Sequence, residues 1–318
     1  MAAHGYELII AAADPAHPEH ADALAAIRDT YGDDIELAES PVTPFSLGEI
    51  NDTLRQLGPA DDRPHSELAW DLPEPLESMV AKTRTTTARR QLRQLISDAL
   101  AEPPVIDAAT ATRMVRPYSW LLDRVGTGGV TLTAAGYLPP AHVEAAMTEL
   151  NLGSEWIGTG NRESQTIPVL HLRESATRMG LLRKYRGRLL VTSRGRVAAG
   201  DPVALWRQIT ERLPLRLGPE YETQASLLYL ILIAASAPGD LDEPGEPIAS
   251  FLHDIGWRSA DRTPLTAYMA SQATWDTARL LRRLGAITAE RGSFGADRVT
   301  VEGIALAKAA LQTWPAKP

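Results

Sequence analysis

Hydrophobic positions recur at two different spacings along the chain, and the change from one to the other marks its elements. Leu92, Leu95, Ile96 and Ala99 or Leu100 lie three and four apart, which predicts a helix over 76–100. Thr83, Thr85, Thr86 and Thr87 crowd its middle with weak helix formers, and Glu102-Pro103-Pro104 ends it. A short connecting helix is expected over 107–114, stopped by Pro117. Tyr118 to Val125 predicts another, broken by Gly126, Gly128 and Gly129. Val130 to Thr133 reads as a strand. Pro139 and Pro140 suit the first turn of a helix running to Leu150, where a missing N–H leaves no intrahelical bond unmade. Val169, Leu172, Ala176 and Met179 share one face of a helix expected over 166–179, with Gly180 as its C-cap. The residues 181–185 and 188–192 then predict a hairpin turning at Arg186-Gly187.

Helix, strand, helix, helix, strand, strand is the order of a winged helix-turn-helix. Its last half recurs near the C-terminus. A helix is expected over 271–284, a break at Gly285, strands over 286–290 and 298–301, and a closing helix over 303–311. Aligning the two copies sets Arg178-Met-Gly-Leu-Leu-Arg183 over Arg283-Leu-Gly-Ala-Ile-Thr288. It also sets Val191-Thr-Ser-Arg-Gly195 over Val299-Thr-Val-Glu-Gly303. The Thr-x-x-Gly element occurs a third time at Thr133 to Gly136. Threonine there can cap the following turn or helix, and glycine relieves a tight approach.

The front of the chain is sparser. A strand is expected over 6–12, a helix over 18–31, and a helix over 46–57. Ser46 and Glu49 have capping-box spacing in the last of these, and Leu47, Ile50, Leu54 and Leu57 form its stripe. Residues 59–75 are proline-rich and acidic, as in a solvated linker. The organisation expected is therefore an acidic N-terminal segment with linker (1–75), a basic helical connector (76–117), a first winged-helix-like domain (118–216), and a helical region with a second winged-helix-like unit (217–318). In fold class this is mainly α with small β-hairpins, an α+β chain of two winged-helix-like units joined by helices.

Composition changes this picture little, and charge changes it more. The 318 residues are 44% hydrophobic and 23% charged, which suits a globular chain. No apolar run is long enough for a membrane span, and no secretory signal is visible at Met1 to Glu7. With no cysteine there is neither a disulfide nor a thiol nucleophile, so a cytoplasmic location is expected. The net charge of −8 conceals a split. Residues 1–75 hold 16 acidic and 3 basic residues, whereas 76–318 hold 24 and 29. Within 162–216 there are 12 basic residues and 4 acidic ones.

The densest part of that block, RKYRGRLLVTSRGR over 183–196, contains no acid. Arg183, Lys184, Arg186, Arg188, Arg194 and Arg196 are expected to project from the wing and hold DNA phosphates. A guanidinium bonds two oxygens of one phosphate, which favours backbone contact over base reading. His171, Ser175 and Arg178, on the expected outer side of the preceding helix, are the candidate base-edge readers. Glu174 beside them suits phosphates poorly. Arg279, Arg282 and Arg283 lie on the corresponding second helix, diluted by Asp276.

Other chemistry finds no footing. His17, Glu19 and His20 fit a solvated stretch better than a metal site, so no metal or cofactor is expected. Gly126-Thr-Gly-Gly129 and Gly158-Thr-Gly160 lack the lysine and hydroxyl of a phosphate loop. No nucleophile elbow or zincin motif occurs. The seven tryptophans are scattered, as expected of packing residues.

Phe45-Ser-Leu-Gly-Glu-Ile-Asn51, Leu132-Thr-Ala-Ala-Gly-Tyr-Leu-Pro-Pro140 and Gly180-Leu-Leu-Arg-Lys184 through Thr192-Ser-Arg-Gly195 carry a family likeness. Asp201-Pro-Val-Ala-Leu-Trp206, Ile255-Gly-Trp-Arg258 and Leu281-Arg-Arg-Leu-Gly-Ala286 extend it. Over residues 44–314 the chain resembles the plasmid Orf-three-like family of actinobacteria, whose members are often labelled insertion-sequence passenger or TnpR-like proteins. The resemblance implies an architecture and a neighbourhood of mobile DNA rather than a reaction. It also implies that most of the family's β-rich N-terminal domain is missing or reduced.

The expected function is non-enzymatic binding of double-stranded DNA, as a regulator or accessory factor linked to mobile elements. The alternative is a protein-interaction or assembly module, with a homo-oligomer or protein partner covering the apolar run Leu227 to Ala235. An enzyme of mobile-element biology ranks third.

Overall fold

The computed structural model describes residues 72–313 apart from 102–103, 157, 216–219, 240, 242 and 290–296, together with His20, Ala21 and Ala25. The strand expected over 6–12, the helix over 46–57, and most of the helix over 18–31 and the linker over 59–75 fall outside these residues. What is described is mainly helical, with two small antiparallel sheets. Among the described residues no helix is long and apolar enough to cross a membrane.

The single helix expected over 76–100 is two, α1 (Glu74–Lys82) and α2 (Thr86–Leu100). Thr85 leaves the helical conformation, and its hydroxyl accepts the Ala88 N–H at 3.2 Å. Threonine crowding here starts a helix instead of weakening one. The opposite correction applies at Pro117. The two helices expected on either side of it are one, α3 (Ala108–Val125), capped by Asp107. An interior proline costs a helix about 3 kcal/mol. Against it stand Met114, Val115, Tyr118, Leu121, Leu122 and Val125, all buried. Each such side chain contributes about 1.5–3 kcal/mol on burial, so the helix persists through the proline. The expected connector boundary at 117 thus falls inside α3.

After α3 come β1 (Val130–Thr131), α4 (Pro140–Glu149), α5 (Ile167–Arg178), β2 (Leu182–Tyr185), β3 (Arg188–Val191), α6 (Ser193–Ala198) and α7 (Pro202–Thr210). The sheet order is β1-β3-β2, with Val130 opposite Leu189 and Leu182 opposite Val191. α3 packs on α5, α7 and β3. The remainder is α8 (Glu220–Ala235), α9 (Gly245–Ile255), α10 (Ala267–Arg283), β4 (Ile287–Ala289), β5 (Asp297–Val299) and α11 (Val301–Gln312).

α8 is buried almost all round, from Gln224 through Ala234. α2, α9, α10 and α11 pack against it. Its apolar run was the ground for expecting a covering partner. The chain's own helices supply the cover.

The repeat read from sequence is reproduced bond for bond. α5 ends with Gly180 donating to the Thr177 carbonyl and Leu181 to that of Ala176; α10 ends with Gly285 donating to Arg282 and Ala286 to Leu281. Both caps are glycines at positive φ. Thr192 N–H donates to the Leu181 carbonyl and Thr300 N–H to that of Ala286, each at 3.0 Å. The hydroxyls of Thr192 and Thr300 accept the N–H of Gly195 and Gly303, starting α6 and α11. Thr133-Gly136, identical in pattern, is instead a tight turn in which Gly136 supplies a positive φ.

Gly195 and Gly303 are helical, and a Cβ on either would overlap the carbonyl oxygen of Leu181 or Ala286. Gly195→Ala and Gly303→Ala are therefore expected to destabilise the fold by about 1–3 kcal/mol each in urea unfolding. Gly128→Ala, with open space around it, is the control expected to be near neutral. Equal effects at all three positions would contradict the close-approach account.

Candidate nucleic-acid interface and the cleft beside it

The β2–β3 hairpin turns through Arg186 (φ 47°) and Gly187 (φ 70°). Two left-handed residues give a turn whose twist matches the strands it joins. Side chains alternate across the sheet, so Arg183 and Tyr185 share the outer face while Leu182 and Lys184 share the inner one. Arg188, opposite Tyr185 in register, joins the outer face.

The guanidinium carbons of Arg183 and Arg186 lie 5.4 and 5.1 Å from the Tyr185 ring centroid. Tyr185 is 49% exposed, so this is an open aromatic platform flanked by cations. Arg188 donates to the Gly128 carbonyl and remains exposed.

The other three predicted phosphate ligands are placed differently. Lys184 lies on the opposite face of the strand, where it stays exposed and donates to the Gly136 carbonyl at 2.7 Å. Burial, with Arg173 nearby, holds its pKa below the usual lysine range. Arg194 and Arg196 lie on α6 rather than on the strands, and Arg196 donates to the Val191 carbonyl at 3.1 Å. Both are exposed.

Of the expected base readers Arg178 is exposed, and His171 and Ser175 are half-buried. His171, Ser175 and Arg178 line a cleft of about 600 Å³ between α5 and α10. Arg178 bonds Asp276 at 2.9 Å. Arg279 Nη1 lies 2.6 Å from Nδ1 and 2.7 Å from Nε2 of His171. The Ser175 hydroxyl pairs with the Tyr118 hydroxyl at 2.9 Å and donates to the His171 carbonyl. His171 and Arg178 on this face of α5 thus already have partners on α10, across the cleft.

The alignment of the two copies held the missing signal. It places His171 over Asp276 and Glu174 over Arg279, so groups of complementary charge occupy two equivalent positions on the helices that line the cleft. Tyr185, a single ring within a basic run, has no sequence signal that marks it as exposed. Trp275, expected to be packing, is 45% exposed at the cleft, with Arg279 over its ring at 4.6 Å.

A buried ion pair supports both features. Glu163 accepts the Leu138 N–H at 2.6 Å and a second bond from Arg173 Nε. Both side chains are at most 4% exposed. They tie the stretch before α5 to α5 itself and to the segment that follows β1.

Comparison with models of protein families, with characterised proteins and with solved structures gives no match to this chain.

Burial, and then the Arg279 cation, hold His171 below the ordinary histidine range; burial and Arg124 act likewise on His142. A lowered folded pKa means that the unfolded chain takes up the proton first. Stability is then full above about pH 6.5, the ordinary histidine value, and falls as pH drops through it. His171→Gln is expected to flatten that fall in thermal unfolding between neutral and mildly acidic pH. An unchanged pH dependence would contradict the placement of His171.

Proposed function

We propose that the chain binds the backbone of double-stranded DNA through the outer face of the β2–β3 hairpin, without catalysing chemistry on it. The observation that carries this reading is the exposed set Arg183, Arg186 and Arg188 around Tyr185, in a stretch free of acids from 183 to 196. Arg194 and Arg196 continue the same charge onto α6. The β1-β3-β2 sheet with α3, α4 and α5 has the order and pairing expected of a winged helix, in which such a hairpin lies along phosphates. α5 differs from a reading helix in that Arg178 and His171 on its polar face are paired with Asp276 and Arg279 of α10. Contact is therefore with phosphates and largely independent of sequence. The resemblance to the plasmid Orf-three-like family agrees with DNA as a neighbour and assigns no reaction.

Arg186 adds a separate indication. A non-glycine residue at positive φ costs about 1 kcal/mol, and asparagine tolerates the position better. The strained turn places the Arg186 guanidinium at the hairpin tip, beside the Tyr185 ring.

Duplex binding measured against salt tests the proposal. The expected log–log slope is about −4, and Arg183→Gln is expected to reduce its magnitude by about one, similarly for unrelated duplex sequences. Arg186→Asn is expected to do the same while raising stability by up to about 1 kcal/mol. Absence of binding at low salt by folded protein, or binding indifferent to both substitutions, would overturn the reading.

A further inference from the structure

The cleft between α5 and α10 has an interior suited to a ligand that duplex DNA cannot supply. Its volume of about 600 Å³ is that of a small-molecule site. Its base is apolar, formed by Leu172, Leu215, Leu280 and Ile287, all buried, and Trp156 and Trp275 also line it.

The charged groups around it are matched unevenly. Arg178 is paired with Asp276 at 2.9 Å. Arg282 is held by both oxygens of Asp297, at 3.0 and 2.6 Å. Glu174 lies 3.9 Å from Arg173.

Arg279 is different. Among the described residues no carboxylate lies within ion-pair distance of it, and its two close partners are the Trp275 ring and the His171 imidazole. Asp276 is near enough to favour its charge but bonds Arg178 instead. Burial lowers the pKa of both Arg279 and His171, which marks this spot as one where a positive charge is poorly solvated. A half-buried guanidinium that faces a ring, with the nearby Asp276 already bonded to Arg178, has no carboxylate of its own to offset its desolvation.

We propose that this cleft binds a small planar aromatic carboxylate, with its ring on the apolar base beside the two indoles and its carboxylate on Arg279. Arg279, half-buried and without a carboxylate bonded to it, calls for an anionic group. The apolar base calls for a ring, and a guanidinium offers a carboxylate two parallel hydrogen bonds. This site is separate from the hairpin surface, so either can fail while the other stands.

The test is titration of the full chain with 1-naphthoate, followed by calorimetry or ligand-observed NMR. Two truncated probes accompany it: acetate, which lacks the ring, and 1-naphthalenemethanol, which lacks the charge. Saturable binding of naphthoate is expected, with each truncated probe weaker by about tenfold or more. Arg279→Gln is expected to weaken naphthoate by a similar factor, and Arg279→Lys by less, with duplex binding unaffected in both. No saturable binding to the unsubstituted chain would overturn the proposal. So would equal binding of naphthoate and its neutral analogue, or unchanged affinity in folded Arg279→Gln. Should Arg279→Gln fail to unfold cooperatively, the contrast among the three probes on the unsubstituted chain decides.

Discussion

A threonine hydroxyl and a glycine without a side chain fix how each helix–hairpin unit closes. At Thr192 and again at Thr300, the main-chain N–H reaches back to the turn after the preceding helix. The hydroxyl starts the following helix. Gly195 and Gly303 let that helix sit directly against the carbonyl of Leu181 or Ala286, where a methyl group has no room. The strands leave from this junction, so the direction of the hairpin relative to α5 is set there. The basic face around Tyr185 depends on it for its orientation, and the cleft depends on the same closure at the end of α10.

Two kinds of positive charge are thereby separated. On the outer face of the hairpin, guanidinium groups rest on an exposed ring and reach solvent, where a polyanion can find them. In the cleft, Arg178 and Arg282 are paired with carboxylates, whereas Arg279 faces an imidazole and an indole. The buried Glu163–Arg173 pair holds α5 against the segment after β1 between these surfaces. Removing one partner would leave the other buried without its main counter-charge, at up to about 3–5 kcal/mol.

Local order was legible in the sequence wherever a short-range rule controlled it. Gly180 and Gly285 as helix stops, the Arg186-Gly187 turn and the repeated Thr-x-x-Gly element all follow from backbone sterics and capping, which act over a few residues. Pro117 misled because the local penalty of a proline was outweighed by apolar side chains whose partners lie far along the chain. The threonines at 85–87 misled because propensity describes a helix interior and says nothing of its first turn. His171, Ser175 and Arg178 share the polar side of α5 as expected. Whether that side meets solvent or α10 is a tertiary fact that the periodicity of one helix does not contain. Lys184 shows the same limit on a strand, where one step along β2 turns a cation from the outer face to the inner one.

On the proposed reading duplex DNA meets the hairpin, and the side chains of α5 that line the cleft keep their partners on α10. Amide hydrogen exchange with and without duplex at low salt tests it most directly. Slowed exchange across 182–196, with the cleft-lining residues of α5 and α10 unchanged, is the predicted result. Protection centred on His171 to Arg178, or none in the hairpin despite binding, would contradict the account.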